Sequence, residues 1–293
     1  MAVRELSSPP SMSVLYPKAV ALAGRSALQK LPGLGGGEPR LPEDELALPE
    51  VEVDRHHVAA YDRVCCFPLR DMLPPTYPHI VAFPLAMELM TGIDFPFSVV
   101  GLVHIANRIE QLRPIGVEEK LSVRVRTEDL AEHERGTKFE IVADVDAGGE
   151  TAWRSRSTYL HREGNGSSGG SKGDRPEPPR PKAVWRLPGD IGRRYADVSG
   201  DRNPIHLHSL SARLFGMPGA IAHGMWLKAR CLAALESLLR ERFSVEVRFK
   251  LPVLIPGKVS FASWSVDGGR DFALHDGKNE KPHLSGELRW PSS

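Results

Sequence analysis

Asp201 and His206 stand five residues apart around the dipeptide Asn203-Pro204, and His223-Gly224-Met225 follows after sixteen intervening residues. A carboxylate and an imidazole at this spacing can share one water and move its protons, which is general acid and base chemistry. Asparagine caps helices and proline fits the first helical position, so a helix beginning at Pro204 carries His206 in its first turn, with Asp201 just ahead of it. Ser199, Gly200 and Asn203 are read as shaping that turn rather than reacting, through capping and tight backbone geometry. Tyr195 opens the motif. His223 is read first as a structural hydrogen-bonding side chain and second as a substrate contact. Gly224 falls in the first turn of a long apolar segment, where N–H groups lack intrahelical acceptors and the positive end of the helix dipole points outward. Its N–H is therefore a candidate donor to an oxyanion, and the missing side chain lets a ligand approach the backbone.

These residues need a scaffold, and 293 residues are enough for two domains with their own cores. Lys and Arg number 38 against 37 Asp and Glu, a balance that argues against nucleic acid or an anionic membrane as partner. Cys65, Cys66 and Cys231 have neither zinc-site nor disulfide spacing, and no metal or cofactor is expected. The apolar stretch Ala19–Ala23 is too short for a signal segment or a membrane span, so the expected location is the cytoplasm.

Residues 1–45 mix Ser/Pro clusters with a Gly-rich run, Gly33–Gly37, and read as a flexible leader; that run has no preceding strand or Gly-Lys-Ser/Thr ending and is no phosphate loop. Residues 46–162 then carry a strand, a short helical or turn segment over His56–Tyr61, a buried helix over Ala82–Gly92, and about four strands. Adjacent His56 and His57 cannot face one way, so they share no metal. Residues 163–182 are too rich in Gly, Ser and Pro to fold and form a linker. Residues 183–293 repeat the plan: a strand at Val184–Leu187, a helical or turn segment over Ile191–Val198, helices over Pro204–Phe215 and Ala222–Arg242, then strands. The long helix has an apolar stripe at Leu227, Cys231, Ala234, Leu235 and Leu238.

The halves align in detail. Tyr61 overlays Tyr195, and Phe97-Ser-Val overlays Phe243-Ser-Val. Phe67 and Met72 then fall where the second half has Asp201 and His206, so only the second copy keeps its ionisable pair.

Tyr195-Ala-x-x-Ser-Gly-Asp-x-Asn-Pro-Ile-His206, Ile221-Ala-His-Gly-Met225 and Phe249-Lys-Leu-Pro-Val253 resemble the MaoC-like family of hot dog dehydratases and (R)-specific enoyl-CoA hydratases. Pro74–His79, Ala82–Leu85 and Gly101–His104 are similar to the N-terminal unit of actinobacterial double hot dog (3R)-hydroxyacyl-thioester dehydratases. The resemblance implies an α+β double hot dog in which two antiparallel sheets each wrap a central helix. The first unit would be a degenerate acyl-binding copy and the second catalytic. It implies reversible dehydration of (3R)-3-hydroxyacyl thioesters to trans-2-enoyl thioesters, with Asp201 as acid-base residue, His206 orienting the water, and the division of proton work left open. Without an ionisable pair, the first groove is expected to widen for longer acyl chains.

Acyl-CoA or acyl carrier protein substrates and a homodimer of double hot dog chains are implied partners, and Arg193, Arg194, Arg202 and Arg213 are candidate contacts to the carrier. One departure stands out: a serine sometimes found along the family's central helix is Leu232 here. Two other readings remain, a hot dog thioesterase and a non-catalytic thioester-binding scaffold. The thioesterase needs a carboxylate on the central helix, where the only acidic residue between Met225 and Arg240 is Glu236, far down the helix from Gly224.

Overall fold

The computed structural model describes residues 2–29, 38–162 and 179–291. The Gly33–Gly37 run and most of the expected linker, residues 163–178, lie outside the described residues.

The first half runs β1 (Val3–Glu5), α1 (Met12–Gln29), β2 (Glu45–Val51), α2 (Arg55–Cys65), α3 (Tyr77–Met90), β3 (Val103–Gln111), β4 (Leu121–His133), β5 (Gly136–Ala147) and β6 (Glu150–Arg162). The second runs β7 (Ala183–Leu187), α4 (Ile191–Ser199), α5 (Pro204–Leu207), α6 (Ser209–Leu214), α7 (Gly224–Ala234), β8 (Phe243–Phe249), β9 (Gly257–Val266), β10 (Gly269–Asp276) and β11 (Pro282–Arg289). All strands join one sheet in the order β1-β2-β4-β5-β6-β3-β8-β11-β10-β9-β7. Apart from β1, this order reads the same from both ends once each second-half strand is matched to its counterpart. The halves meet where β3 pairs antiparallel with β8, Asn107 opposite Val247 and Ile109 opposite Val245. The double hot dog expected from the resemblance is thus built as one continuous sheet around two helices, α3 and α7.

Alternation sets which face is wet. Leu121, Val123 and Val125 of β4 are fully buried, while Arg124 and Arg126 between them pair with Asp146 and Asp144 on the opposite face. α7 is buried over most of its length, with Met225, Trp226, Leu227, Ala229, Cys231 and Leu232 all buried, as a helix wrapped by a sheet must be.

Several expectations change. The leader is not free: β1 pairs parallel with β2, and Leu15 and Ala19 of α1 are buried. The central helix ends at Ala234 rather than Arg242; Leu235 leaves helical geometry, a single 3-10 turn follows, and Ala234 and Leu238 are exposed. The helix expected over Pro204–Phe215 is two, because His208 is extended at φ −145° and ψ 146°. The Tyr61 and Tyr195 overlay lands on matching structure: α2 and α4 both end on a left-handed cap, Cys66 at φ 64° and Gly200 at φ 72°, at the same offset as the two tyrosines. The Phe97 and Phe243 pairing does not, since Phe243 lies inside β8 and Phe97 precedes β3.

Candidate active site

The site forms where three short elements of the second half converge. Gly200 ends α4 in the left-handed region that costs glycine nothing, and its N–H closes on the Ala196 carbonyl. The Asp201 N–H then donates to Ser199 Oγ at 3.1 Å, and the Asn203 N–H to Asp201 Oδ1 at 3.2 Å. Asn203 Oδ1 caps the next turn by accepting from the Ile205 N–H at 3.3 Å, with Pro204 at the first helical position. Ser199, Gly200 and Asn203 are all spent on backbone geometry. Tyr195 is buried in α4, its ring 4.9 Å from that of His223 and 6.2 Å from that of Tyr61.

Both histidines are fixed by backbone carbonyls. His206 Nδ1 lies 2.8 Å from the Ile221 carbonyl, which can only accept, so the proton is on Nδ1 and Nε2 keeps its lone pair. His223 Nε2 likewise donates to the Asp201 carbonyl at 2.9 Å. This bond ties the first residue before α7 to the turn carrying Asp201, a structural task. The rings of His206 and His223 stack with centroids 3.7 Å apart. Burial holds both imidazoles below their ordinary pKa, His223 at about 3, so both are neutral near pH 7. Burial alone would raise the Asp201 carboxyl; the charge that His223 and His206 take on when protonated in acid, the Tyr16 hydroxyl and the Asn203 N–H outweigh it and keep it below the usual range.

Ligand-type atoms of Asp201, His206 and His223 lie within 4.8 Å of one another. That gap is one a single water can bridge. The same trio has the composition of a metal site, but His223 Nε2 is already committed to the Asp201 carbonyl, which leaves only its buried Nδ1.

Gly224 is the first residue of α7. A Cβ there would meet the Phe249 ring at 3.0–3.2 Å, tighter than ordinary contact, so the glycine lets an aromatic ring from β8 pack against the start of α7. Phe249 in turn lies 5.1 Å from the ring of His104, which stacks on Tyr159 at 4.6 Å and on His79 at 6.4 Å. The first half thus brings two imidazoles and a phenol beside the second half's site. Burial takes His79 to about 4 and His104 to about 3. In the first copy Phe67 is buried and Met72 is exposed. Thr76, preceding α3, accepts from the Tyr61 hydroxyl at 2.7 Å, and Tyr77 opens α3 where the second half has Gly224 opening α7.

Arg193 donates to the Leu207 carbonyl, Arg202 pairs with Asp197 and Arg213 reaches the Pro218 carbonyl. Glu236 lies beyond the far end of α7, held by Arg70 at 2.6 Å. Leu232 is fully buried.

One residue outside the motif also touches the pair. Tyr16 of α1 donates its hydroxyl to Asp201 Oδ1 at 2.6 Å. Its signal was the spacing of Met12, Leu15, Tyr16 and Ala19, which places them on one helical face.

A family model described as MaoC like domain matches residues 173–286. The chain is 40% identical over 253 residues to 3-hydroxyacyl-thioester dehydratase X of Mycobacterium tuberculosis, covering 85% of this chain and 90% of that protein. The crystal structure of HtdX from the same organism superposes with a TM-score of 0.76 at 38% identity, over 84% of this chain and 100% of that one. A MaoC-like dehydratase from Phytophthora capsici shares the fold, with a TM-score of 0.68 at 18% identity over 87% and 97% of the two chains.

Proposed function

This chain belongs to the family of MaoC-like 3-hydroxyacyl-thioester dehydratases, and from that premise we propose that it reversibly converts (3R)-3-hydroxyacyl thioesters to trans-2-enoyl thioesters at the Asp201 and His206 pair. The observation that carries the reading is a carboxylate and a neutral imidazole with a free Nε2 brought within 4.8 Å of each other, with α7 beginning one residue after His223, the third member of that cluster.

In the dehydration direction the pair removes a proton from C2. The C–H electrons move toward the thioester carbonyl, giving an enolate whose oxygen accepts the Gly224 N–H at the start of α7. As the C2–C3 double bond forms, the C3 hydroxyl departs and takes a proton from the pair, leaving as water. The protons balance, so Asp201 and His206 end as they began. Placed acid-base groups are worth roughly a hundred- to ten-thousand-fold and one oxyanion donor roughly a hundred- to a thousand-fold. The reaction needs no group beyond these side chains and one backbone N–H.

The thioesterase reading is weaker for a geometric reason: Glu236 is tied to Arg70 about 16 Å of helix away from Gly224. The test supplies crotonyl and (3R)-hydroxybutyryl thioesters, on coenzyme A and on acyl carrier protein, to the wild type and to Asp201→Asn. Interconversion by the wild type that is lost in the variant and insensitive to a chelator is expected. Release of free thiol would point to the thioesterase, and binding without turnover to a scaffold. The ratio of rates on the two carriers then assigns the natural one.

A further inference from the structure

We propose that Tyr16, carried by the N-terminal helix α1, is a positioning residue of the active site, holding one oxygen of Asp201 so that the other is presented to the water. The inference rests on the dehydratase reading of Asp201 but adds a residue from outside the span that the family model matches.

The geometry is specific. The Tyr16 hydroxyl is 2.6 Å from Asp201 Oδ1, the length of a strong O–H···O bond to a charged acceptor. Oδ1 also accepts the Asn203 N–H, so two donors share that oxygen. Oδ2 is left, 3.8 Å from His223 Nε2, whose proton is already directed at the Asp201 carbonyl. A carboxylate with one oxygen saturated cannot rotate without breaking a bond, so the other lone pairs keep a fixed direction.

The helix is seated to hold this bond. Met12 packs against Gly200, within 3.4 Å of where its Cβ would lie, and Leu15 and Ala19 are buried on the same side. β1, ahead of α1, is paired to β2, which ties both ends of the segment to the first half. The hydroxyl that the family sometimes draws from the central helix has no counterpart at Leu232, and a hydroxyl reaches the pair from α1 instead.

Tyr16 is a donor at every working pH, because burial and the Asp201 charge raise its pKa far above the ordinary phenol. The other titratable groups that sense Asp201 are Tyr195 from α4, His206 from α5, His223 before α7, His79 from α3, His104 from β3 and Tyr159 from β6. Burial keeps all of them neutral near pH 7. None of them makes a side-chain hydrogen bond to the Asp201 carboxylate among the described residues, so removing the Tyr16 hydroxyl removes its one side-chain donor.

The test is Tyr16→Phe, which keeps the ring and deletes the donor. A hydrogen bond to a charged group corresponds to about tenfold to a hundredfold, expected here as a fall in kcat with KM nearly unchanged. Without the donor the Asp201 carboxyl becomes easier to protonate. Activity that needs the carboxylate is then lost at higher pH, and the acid limb of the rate profile moves up. An unchanged kcat and acid limb, a rise in KM alone, or faster turnover would each overturn the proposal, the last two marking α1 as a mere cover. Thermal melting checks that Tyr16→Phe remains folded. Carbon-13 NMR titration of the Asp201 carboxyl, assigned by its loss in Asp201→Asn, decides the question without turnover. An upward move in Tyr16→Phe supports the bond even if the wild type fails to interconvert the thioesters, and no move sinks it.

Discussion

Gly192, in the first turn of α4, has no room for a side chain: a Cβ would overlap the His206 carbonyl oxygen, lie 3.0 Å from its carbon, and reach Ile255 Cδ1 at 3.2 Å. Two of these atoms are backbone, so no rotamer change relieves the clash. Either α4 or the short α5 must move by on the order of 1 Å to restore ordinary contact. α5 is the weaker element, four residues long and held at its start by a 3.3 Å cap. Gly192→Ala is therefore expected to displace His206 from the Ile221 carbonyl that sets its tautomer. A misplacement of that size costs about a hundredfold in rate, while overpacking costs about 1–3 kcal/mol of stability. Enoyl-thioester hydration is followed through loss of the conjugated absorbance, alongside a thermal melt. Gly219→Ala is the control, because its Cβ would meet Leu254 and Ser209 at 3.7 Å and 3.8 Å, ordinary contact distances. A Gly192→Ala enzyme that keeps wild-type kcat would refute the claim that this approach positions His206.

Two further outcomes concern the whole fold. Lys228 of α7 is fully buried and donates to the Asn107 carbonyl, Asn107 Oδ1 and the Val245 carbonyl at 3.0, 2.6 and 3.1 Å, three acceptors on both sides of the β3–β8 seam. Burial lowers its pKa, yet three acceptors match the three protons of an ammonium. Lys228→Met should cost about 1–3 kcal/mol in urea unfolding by orphaning Asn107 Oδ1, and the cost of Asn107→Leu should be smaller in that background than in the wild type; costs that simply add would refute the coupling. Acid should destabilise the protein: His79, His104 and His223 fall from 6.5 to about 4, 3 and 3 on folding, so below pH 6.5 the unfolded chain takes up protons that the folded chain refuses. Stability then declines from about pH 6.5 toward pH 4, by about 1.4 kcal/mol per pH unit for each such histidine. Asp62, raised by burial to about 7, opposes this with a single proton, so a urea midpoint that is flat or rises over that range would contradict the buried-neutral assignment.

The pair at Asp201 and His206 was legible because the turn between them is encoded locally. A left-handed glycine, an Asx cap and a proline at the first helical position act within a few residues, and nothing distant changes their geometry. The duplicated plan was legible for a related reason, since the matching caps at Cys66 and Gly200 repeat at the offset of Tyr61 and Tyr195. The length of α7 was not legible. Leu235 and Leu238 continue the helical stripe in sequence, but the chain must turn back within a few residues to enter β8. Gly192 was silent too, because its constraint comes from a backbone oxygen fourteen residues away that only the fold brings near.

Tyr16 shows why partners of a catalytic group are harder to read than the group itself. The carboxylate requires a donor at one point in space, and the requirement does not name the element that supplies it. On α7 the expected hydroxyl position is Leu232; the fold supplies a hydroxyl from α1 instead, whose Pro17 and preceding Ser/Pro cluster disguise a helix stabilised mainly by packing rather than propensity. The buried face of Leu15 and Ala19 is therefore part of how the site is built. Loosening that face should affect Asp201 as surely as removing the hydroxyl, because the 2.6 Å bond exists only while α1 is seated.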